Sequence, residues 1–234
     1  MTSTQEVEPT GGTIDINTNT NTNTADGPLR TSDQVRNRVL RVAGHLLAGQ
    51  SPYARAGRAQ LRSALGKEIG SVPAIWQFTV DGGPSTRDDA EPTRGEIAVQ
   101  TALTLWALHQ GSHPDSMHVT SQTGRRLSIA TAVRTLTDAD GSDRDRHETP
   151  IYGRLSALVR AMTFDALATQ ARGIVNLLSS ADIPMDYGQF AVDLFRWQDP
   201  RRRSAVTRSW GRDFERATRS GAKNEPAVAT TDPS

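Results

Sequence analysis

Histidines and carboxylates are the side chains best placed for chemistry in this 234-residue chain, because it has no cysteine. Three of its five histidines, His109, His113 and His118, gather around Asp115 in "HQGSHPDSMH". Imidazoles with a carboxylate form a zinc or nickel ligand set by type. Here they lie across a Gly/Pro loop instead of one helix face, and no HExxH occurs. Ligand types without a rigid scaffold do not set a coordination geometry, so exposed loop histidines and no metal are expected. "DADGSDRDRHE", with Asp138, Asp140, Asp143 and Asp145, resembles a calcium loop. Its glycine comes fourth instead of sixth, and Glu148 falls one short of the twelfth position, so an acidic solvated loop is expected. No phosphate-cradling loop, GxSxG or GxGxxG after a strand is found. Nothing assembles a nucleophile, a base and an oxyanion site, so the chain is not read as an enzyme and no cofactor is expected.

The arginines say more. Among the 27 basic residues only Lys67 and Lys223 are lysine, a bias that by itself identifies no ligand. Formal net charge is +1, but residues 1–29 contribute −4 and residues 221–234 contribute −1, which leaves +6 on residues 30–220. In "FRWQDPRRRSAVTRSWGRDF" (195–214), Asp199-Pro200 ends one helix and starts another. On a wheel of about 100° per residue, Arg208, Arg212 and Arg219 fall within about 20° of Arg201. Val206, Trp210, Phe214 and Ala217 fall opposite them, so the aromatics belong to the core. A solvated face gives the same wheel. With Asp199, Asp213 and Glu215 off the stripe, the aligned guanidiniums favour a phosphate track.

Other helices repeat the arrangement. "RAGRAQLRSALGK" spaces Arg55, Arg58 and Arg62 by three and four beside Leu61 and Leu65, and ends on Lys67. "IYGRLSALVRAM" directs Leu155, Leu158 and Met162 inward, and Arg154 and Arg160 away. "FDALATQARGIVNLLSS" sets Arg172 off the face made by Leu167, Ala171, Ile174 and Leu178. With aromatic residues at 5%, contact with a nucleic-acid backbone is favoured over base reading.

These faces need helices, and helical punctuation covers most of the chain. Val35, Val39, Val42 and Leu46 recur at three and four, and Gly49 closes the run. Ser51-Pro52 starts the next helix and Gly66 stops it. "VPAIWQF" is a short apolar helix, Thr93 and Glu96 have capping-box spacing, and Asp186 caps "YGQFAVDLFRWQ". Strand alternation is nearly absent. The expected fold is all-α, with eight to nine helices in two small bundles: an N-terminal lobe over 31–115 and a C-terminal bundle over 120–220. The Asn-Thr-rich residues 1–30 and the tail 221–234 lack apolar content and are expected to be disordered. No apolar run reaches the ~18–20 residues of a membrane helix. The absence of cysteine and of a signal-like N-terminus suggests the cytoplasm.

The ordered series "AQLRSALGKEIGSVPAIWQF", "IAVQTALTLWALHQG", "GRRLSIATAV", "YGRLSALVRAM", "TQARGIVNLLSSADIPMDYGQFAVDLFRWQDP" and "VTRSWGRDF" resembles the CasB family. That family is the small subunit of Cascade, the type I-E CRISPR effector complex, and the likeness runs from about residue 35 to 216. The resemblance implies an all-helical, non-catalytic subunit. Its partners would be the other Cascade subunits (backbone and large subunit), CRISPR RNA and target DNA. Such subunits sit as a pair and hold the unwound DNA, chiefly the displaced non-target strand, in a sequence-tolerant groove. Arg62, Arg154, Arg160 and Arg172 match basic positions of the family. Tyr152-Gly153 stand where members often have Glu-Arg, and Gly173 replaces the second arginine of a frequent pair, for which Arg126 or Arg208 could compensate. Trp197, Trp210 and Phe214 match core positions. The expected nucleic-acid surface is therefore Arg58, Arg62, Lys67, Arg126, Arg154, Arg160, Arg172, Arg208 and Arg212. The residues alone leave two alternatives. One is a free-standing helical DNA-binding regulator, though no helix-turn-helix is evident; the other is a metal-dependent enzyme on the His109–His118 loop.

Overall fold

A computed structural model of the chain describes residues 29–48, 51–80, 91–122, 126–140 and 145–216. Nine α-helices run through them: α1 (Ser32–Ala48), α2 (Pro52–Ser63), α3 (Trp76–Thr79), α4 (Arg94–Gln110), α5 (Ile129–Ala139), α6 (Pro150–Val159), α7 (Phe164–Ser180), α8 (Tyr187–Trp197) and α9 (Pro200–Arg216). Short 3-10 turns occupy Pro73–Ile75 and Arg146–Glu148. The extended pairing among the described residues is one isolated parallel bridge, His118 to Met185. The fold is all-α.

The caps lie where the sequence puts them. The Ser51 side chain accepts from the Ala54 N–H, with Pro52 opening α2. The Thr93 hydroxyl accepts from the Glu96 N–H at 3.2 Å, and the Glu96 carboxylate accepts from the Thr93 N–H at 2.8 Å. Asp186 caps α8 through the Gln189 N–H at 2.8 Å. Each cap satisfies a donor that the first helical turn leaves unpaired.

Helix α4 is buried on every side, from Ala98 and Val99 through Leu103, Leu105 and Trp106 to His109. A helix that is apolar all round must lie in an interior. Helices α1, α2, α7 and α8 pack around it. The expected stripe of α1 (Val35, Val39, Val42, Leu46) is buried, as is that of α7. Helix α8 also packs on α1 and α9, α5 on α9 and α6, and α6 on α7. Elements on both sides of residues 111–124 contribute to one cluster of buried side chains, in which Trp197, Trp210 and Phe214 take part as expected.

Three expectations are corrected. Disorder to residue 30 reaches too far, because Leu29 is 2% exposed and belongs to the core. Its carbonyl lies so near α4 that a Cβ on Gly95 would sit 2.0 Å from the oxygen, so only glycine fits there. Residues 1–28 and 221–234 lie outside the described residues. Met162 does not face inward but is 79% exposed. Helix α6 stops at Val159, which breaks the stripe before Met162 is reached, and Arg203 holds the Met162 carbonyl at 3.2 Å.

Nor are the three clustered histidines exposed loop residues. His109 is fully buried in the last turn of α4, its Nδ1 2.9 Å from the Tyr187 hydroxyl. His113 places Nε2 3.0 Å from the Ser179 hydroxyl and Nδ1 2.9 Å from Asp182. The His118 Nδ1 accepts from the Tyr187 N–H at 3.2 Å. The three rings therefore bond Tyr187, Ser179 and Asp182, and tie the end of α4 to α7 and α8. Among the described residues no group of three His, Cys, Asp or Glu could hold a metal ion. No helix there is long and apolar enough to cross a membrane.

Burial, aided by neighbouring His113, lowers the His109 pKa from 6.5 to about 4, and burial lowers that of His118. Between these values the unfolded chain binds more protons than the folded one, so stability is full above pH 6.5 and is lost as pH falls toward 4. Urea midpoints should drop through that window, with up to about 3 kcal/mol coming from His109. His109→Gln should flatten the slope.

Candidate nucleic-acid interface

The predicted cations divide by what their guanidinium groups touch. The Arg58 Nη1 donates to the Leu46 carbonyl in the last turn of α1. The Arg62 Nη1 donates to the carbonyl of Gly111, the C-cap of α4, at 3.1 Å. Both cations thus meet the negative ends of neighbouring helices, with Arg58 half-buried and Arg62 exposed. Lys67 and Arg172 line one cleft of about 600 Å³ between the segment after α2, one face of α4 and α7. Glu68 and Asp165 also line it, above a floor that includes Leu105 and Phe164. Arg154 reaches across α6 to α7, where a Cβ on Gly173 would lie 3.4 Å from its Nη1. This guanidinium therefore lies in ordinary van der Waals contact with α7 at Gly173. Arg160, the C-cap residue of α6, is exposed.

On α9, Arg201, Arg208 and Arg212 are exposed while Val206, Trp210 and Phe214 are buried, as the wheel predicts. Arg219 and Ala217 lie outside the described residues.

Arg126 differs from the others. Its Nη2 bonds both oxygens of Asp193, at 2.9 and 3.0 Å, and its Nη1 bonds the Ser209 hydroxyl. Its Nε lies 3.2 Å from Asp213. Asp193 also accepts from the Trp210 indole at 2.8 Å and from Gln189 at 2.9 Å. Burial pushes the Asp193 carboxyl up, and Arg126 opposes it. Burial likewise raises Asp213, against a Ser128 hydrogen bond and Arg126. Arg126 therefore neutralises two buried carboxylates and docks α8 and α9 onto the start of α5. Its charge is engaged within the molecule.

A further basic site has no counterpart in the sequence-derived set. Arg30, Arg94, Arg196 and Arg202, with Thr31, Ser32, Phe195 and Asp199, surround a hollow of about 410 Å³. All four arginines are exposed. Three long helices begin there: α1 at Ser32, α4 at Arg94 and α9 at Pro200. Among the described lining residues the one carboxylate is Asp199, which accepts the Arg201 N–H at 3.0 Å and lies 4.0 Å from Arg94 and 3.7 Å from Arg202. The Arg196 Nε donates to Ser32 Oγ at 3.2 Å, and the Gln198 amide to the Arg94 carbonyl at 2.9 Å. Helix N-termini and guanidiniums both favour negative charge. Its four arginines come singly from four segments, so no stripe reveals it. The readable signal is an arginine in the first turn of a helix, Arg94 and Arg202, where the dipole disfavours a cation.

A protein-family model, CRISPR-associated protein Cse2, matches residues 57–214. The chain belongs to the Cse2 family. CasB from Thermobifida fusca is 35% identical, with a TM-score of 0.58 over 78% of this chain and 96% of that one. CasB from M. ruber is 24% identical, with a TM-score of 0.53 over 80% of this chain and 94% of that one. A chain of a CRISPR RNA-guided surveillance complex is 20% identical, with a TM-score of 0.59 over 78% and 94%. At those identities the last two support the fold alone. No curated protein matches the chain. Family membership agrees with the CasB resemblance, and the match starts at Gly57, inside α2.

Arg126→Ala should strand two buried carboxylates and cost about 3 kcal/mol of stability in urea denaturation. Arg208→Ala and Arg212→Ala, at exposed positions, should each stay within about 0.5 kcal/mol of the parent.

Proposed function

We propose that this Cse2-family chain is a non-catalytic small subunit of a type I-E CRISPR interference complex in the cytoplasm, and that it steadies the R-loop by gripping nucleic-acid backbone. The observation that carries this reading is the hollow where Arg30, Arg94, Arg196 and Arg202 face a single carboxylate at three helix N-termini. Phosphate is the ligand that this chemistry suits: guanidinium forks match its oxygens, and the positive ends of the helix dipoles favour its charge. Lys67 and Arg172, which line one cleft, and the exposed Arg154 and Arg160 add to the basic surface. Arg62, Arg208 and Arg212 add further cations.

Guide pairing would supply sequence specificity, so the surface needs only charge and spacing. Trp106, Trp197 and Trp210 are buried, which leaves few aromatic platforms for reading bases. The displaced non-target strand, single and flexible, is the natural occupant. The remaining partners on this reading are CRISPR RNA, the backbone and large subunits, and a second copy of this chain.

Fluorescence anisotropy with single-stranded DNA, read against salt, tests the contacts one by one. Arg94→Ala and Arg202→Ala should each lower the slope of log K against log salt by about 0.7, the value for one lost phosphate contact. In the assembled complex, combined Arg94→Glu, Arg196→Glu and Arg202→Glu should shorten R-loop lifetime at least about tenfold. An unchanged lifetime with helicity intact would overturn the assignment.

A further inference from the structure

The hollow of Arg30, Arg94, Arg196 and Arg202 lies where the described chain begins, and the residues ahead of it carry the opposite charge. Residues 1–28 hold four acidic side chains, Glu6, Glu8, Asp15 and Asp26, and no basic one. Their point of entry is fixed. Leu29 is buried against Gly95, the neighbour of Arg94. The Arg30 and Thr31 N–H groups both donate to the Gln34 side chain, at 3.1 and 3.0 Å. Arg30 and Thr31 themselves line the hollow, so residues 1–28 join the fold at its rim.

Charge and reach both fit. Among the described residues the one carboxylate against the four guanidiniums is Asp199, at 3.7 and 4.0 Å, and Arg196 bonds the neutral Ser32 hydroxyl. Positive charge is therefore in surplus. Asp26 stands three residues before Leu29, within about 11 Å of fully extended chain, and Asp15, Glu8 and Glu6 have longer reach. A tether makes the contact intramolecular, so a few individually weak exposed pairs suffice. Met1, Val7, Ile14 and Ile16 are the only large apolar residues of the segment, so charge and not burial would hold it. Residues 81–90 also carry aspartates, but Arg87 lies among them and both their ends are tied to the fold.

We propose that in the free chain residues 1–28 fold back and set their carboxylates against these guanidiniums, as a tethered competitor of phosphate. The proposal rests on the nucleic-acid reading only for the source of that phosphate. A long polyanion displaces the segment, whereas an isolated phosphate or a short strand meets it as a rival.

The chain has no cysteine, so Thr10→Cys gives a single site for a nitroxide label, far from Leu29 in sequence. In the full chain that label should broaden the side-chain N–H signals of Arg94, Arg196 and Arg202. Combined Glu6→Gln, Glu8→Gln, Asp15→Asn and Asp26→Asn should cut the broadening at least about twofold. The same four substitutions should tighten single-stranded DNA binding at least about threefold in low salt, a gain that fades as salt screens the pairs. With Arg94→Gln, Arg196→Gln and Arg202→Gln already in place, the gain should fall below about 1.5-fold. Equal broadening with and without the carboxylates, or a DNA gain undiminished in the glutamine background, would overturn the proposal. Carboxylate-dependent broadening in a chain that binds no DNA would keep the docked segment and remove the phosphate reading, so the two fail separately.

Discussion

An apolar helix with no wet side has to be enclosed, and the enclosure of α4 organises the rest of the molecule. Four helices surround it, and its few polar side chains become anchors for the segments that leave the core. Gln100 accepts from the Gly70 N–H and donates to the Glu68 carbonyl at 3.4 Å, which sets the turn carrying Lys67 and the seat of the Trp76 ring. Gln110 donates to the carbonyls of His113 and Asp115 at 3.0 and 2.8 Å and accepts from the Met117 N–H at 3.0 Å. Buried amides cannot be left unpaired without cost. The demand for partners inside the core therefore dictates where two surface segments run.

The arginine-rich composition divides along the same line between inside and outside. Arg134 is 1% exposed and bonds Asp138 and the Phe214 carbonyl. Arg203 lies 3.9 Å above the Trp197 ring. With Arg58 and Arg126 these cations stitch helices together, using a planar fork that satisfies several acceptors at once. Of the outward arginines, Arg30, Arg94, Arg196 and Arg202 gather around helix starts, while Arg208 and Arg212 line the exposed face of α9. A wheel separates buried from exposed positions, but it cannot separate a cation that reaches solvent from one that reaches a neighbouring helix.

That distinction marks what was legible in the sequence. Caps at Ser51, Thr93 and Asp186 and the stripes of α1, α7 and α9 were readable because their partners lie within a few residues. Met162 was misassigned because its stripe was extended past the end of α6. The environments of buried His109 and half-buried His113 and His118 are hidden in the sequence, because a Gly/Pro segment reads as exposed until α7 and α8 are known to cover it. Arg126 finds its carboxylate 67 residues away, and the arginine hollow draws on four separate segments. Both are products of topology, which no local pattern encodes.

Asp199 shows how such a hollow can be stable and still open to a ligand. Four guanidiniums and three helix N-termini in one place repel one another, and an uncompensated cluster would splay apart. Asp199 caps α9 and stands among the arginines, so it offsets part of that repulsion through groups the fold already requires. Its ion pairs are long, at 3.7 and 4.0 Å, with the paired arginine side chains 60% and 56% exposed. Exposed pairs of this kind are worth about 0–1 kcal/mol. They hold the arginines near the hollow without neutralising them. A phosphate entering on the proposed reading meets guanidiniums that it can recruit at little cost. Strengthening the Asp199 pairs would instead stabilise the empty site at the expense of binding.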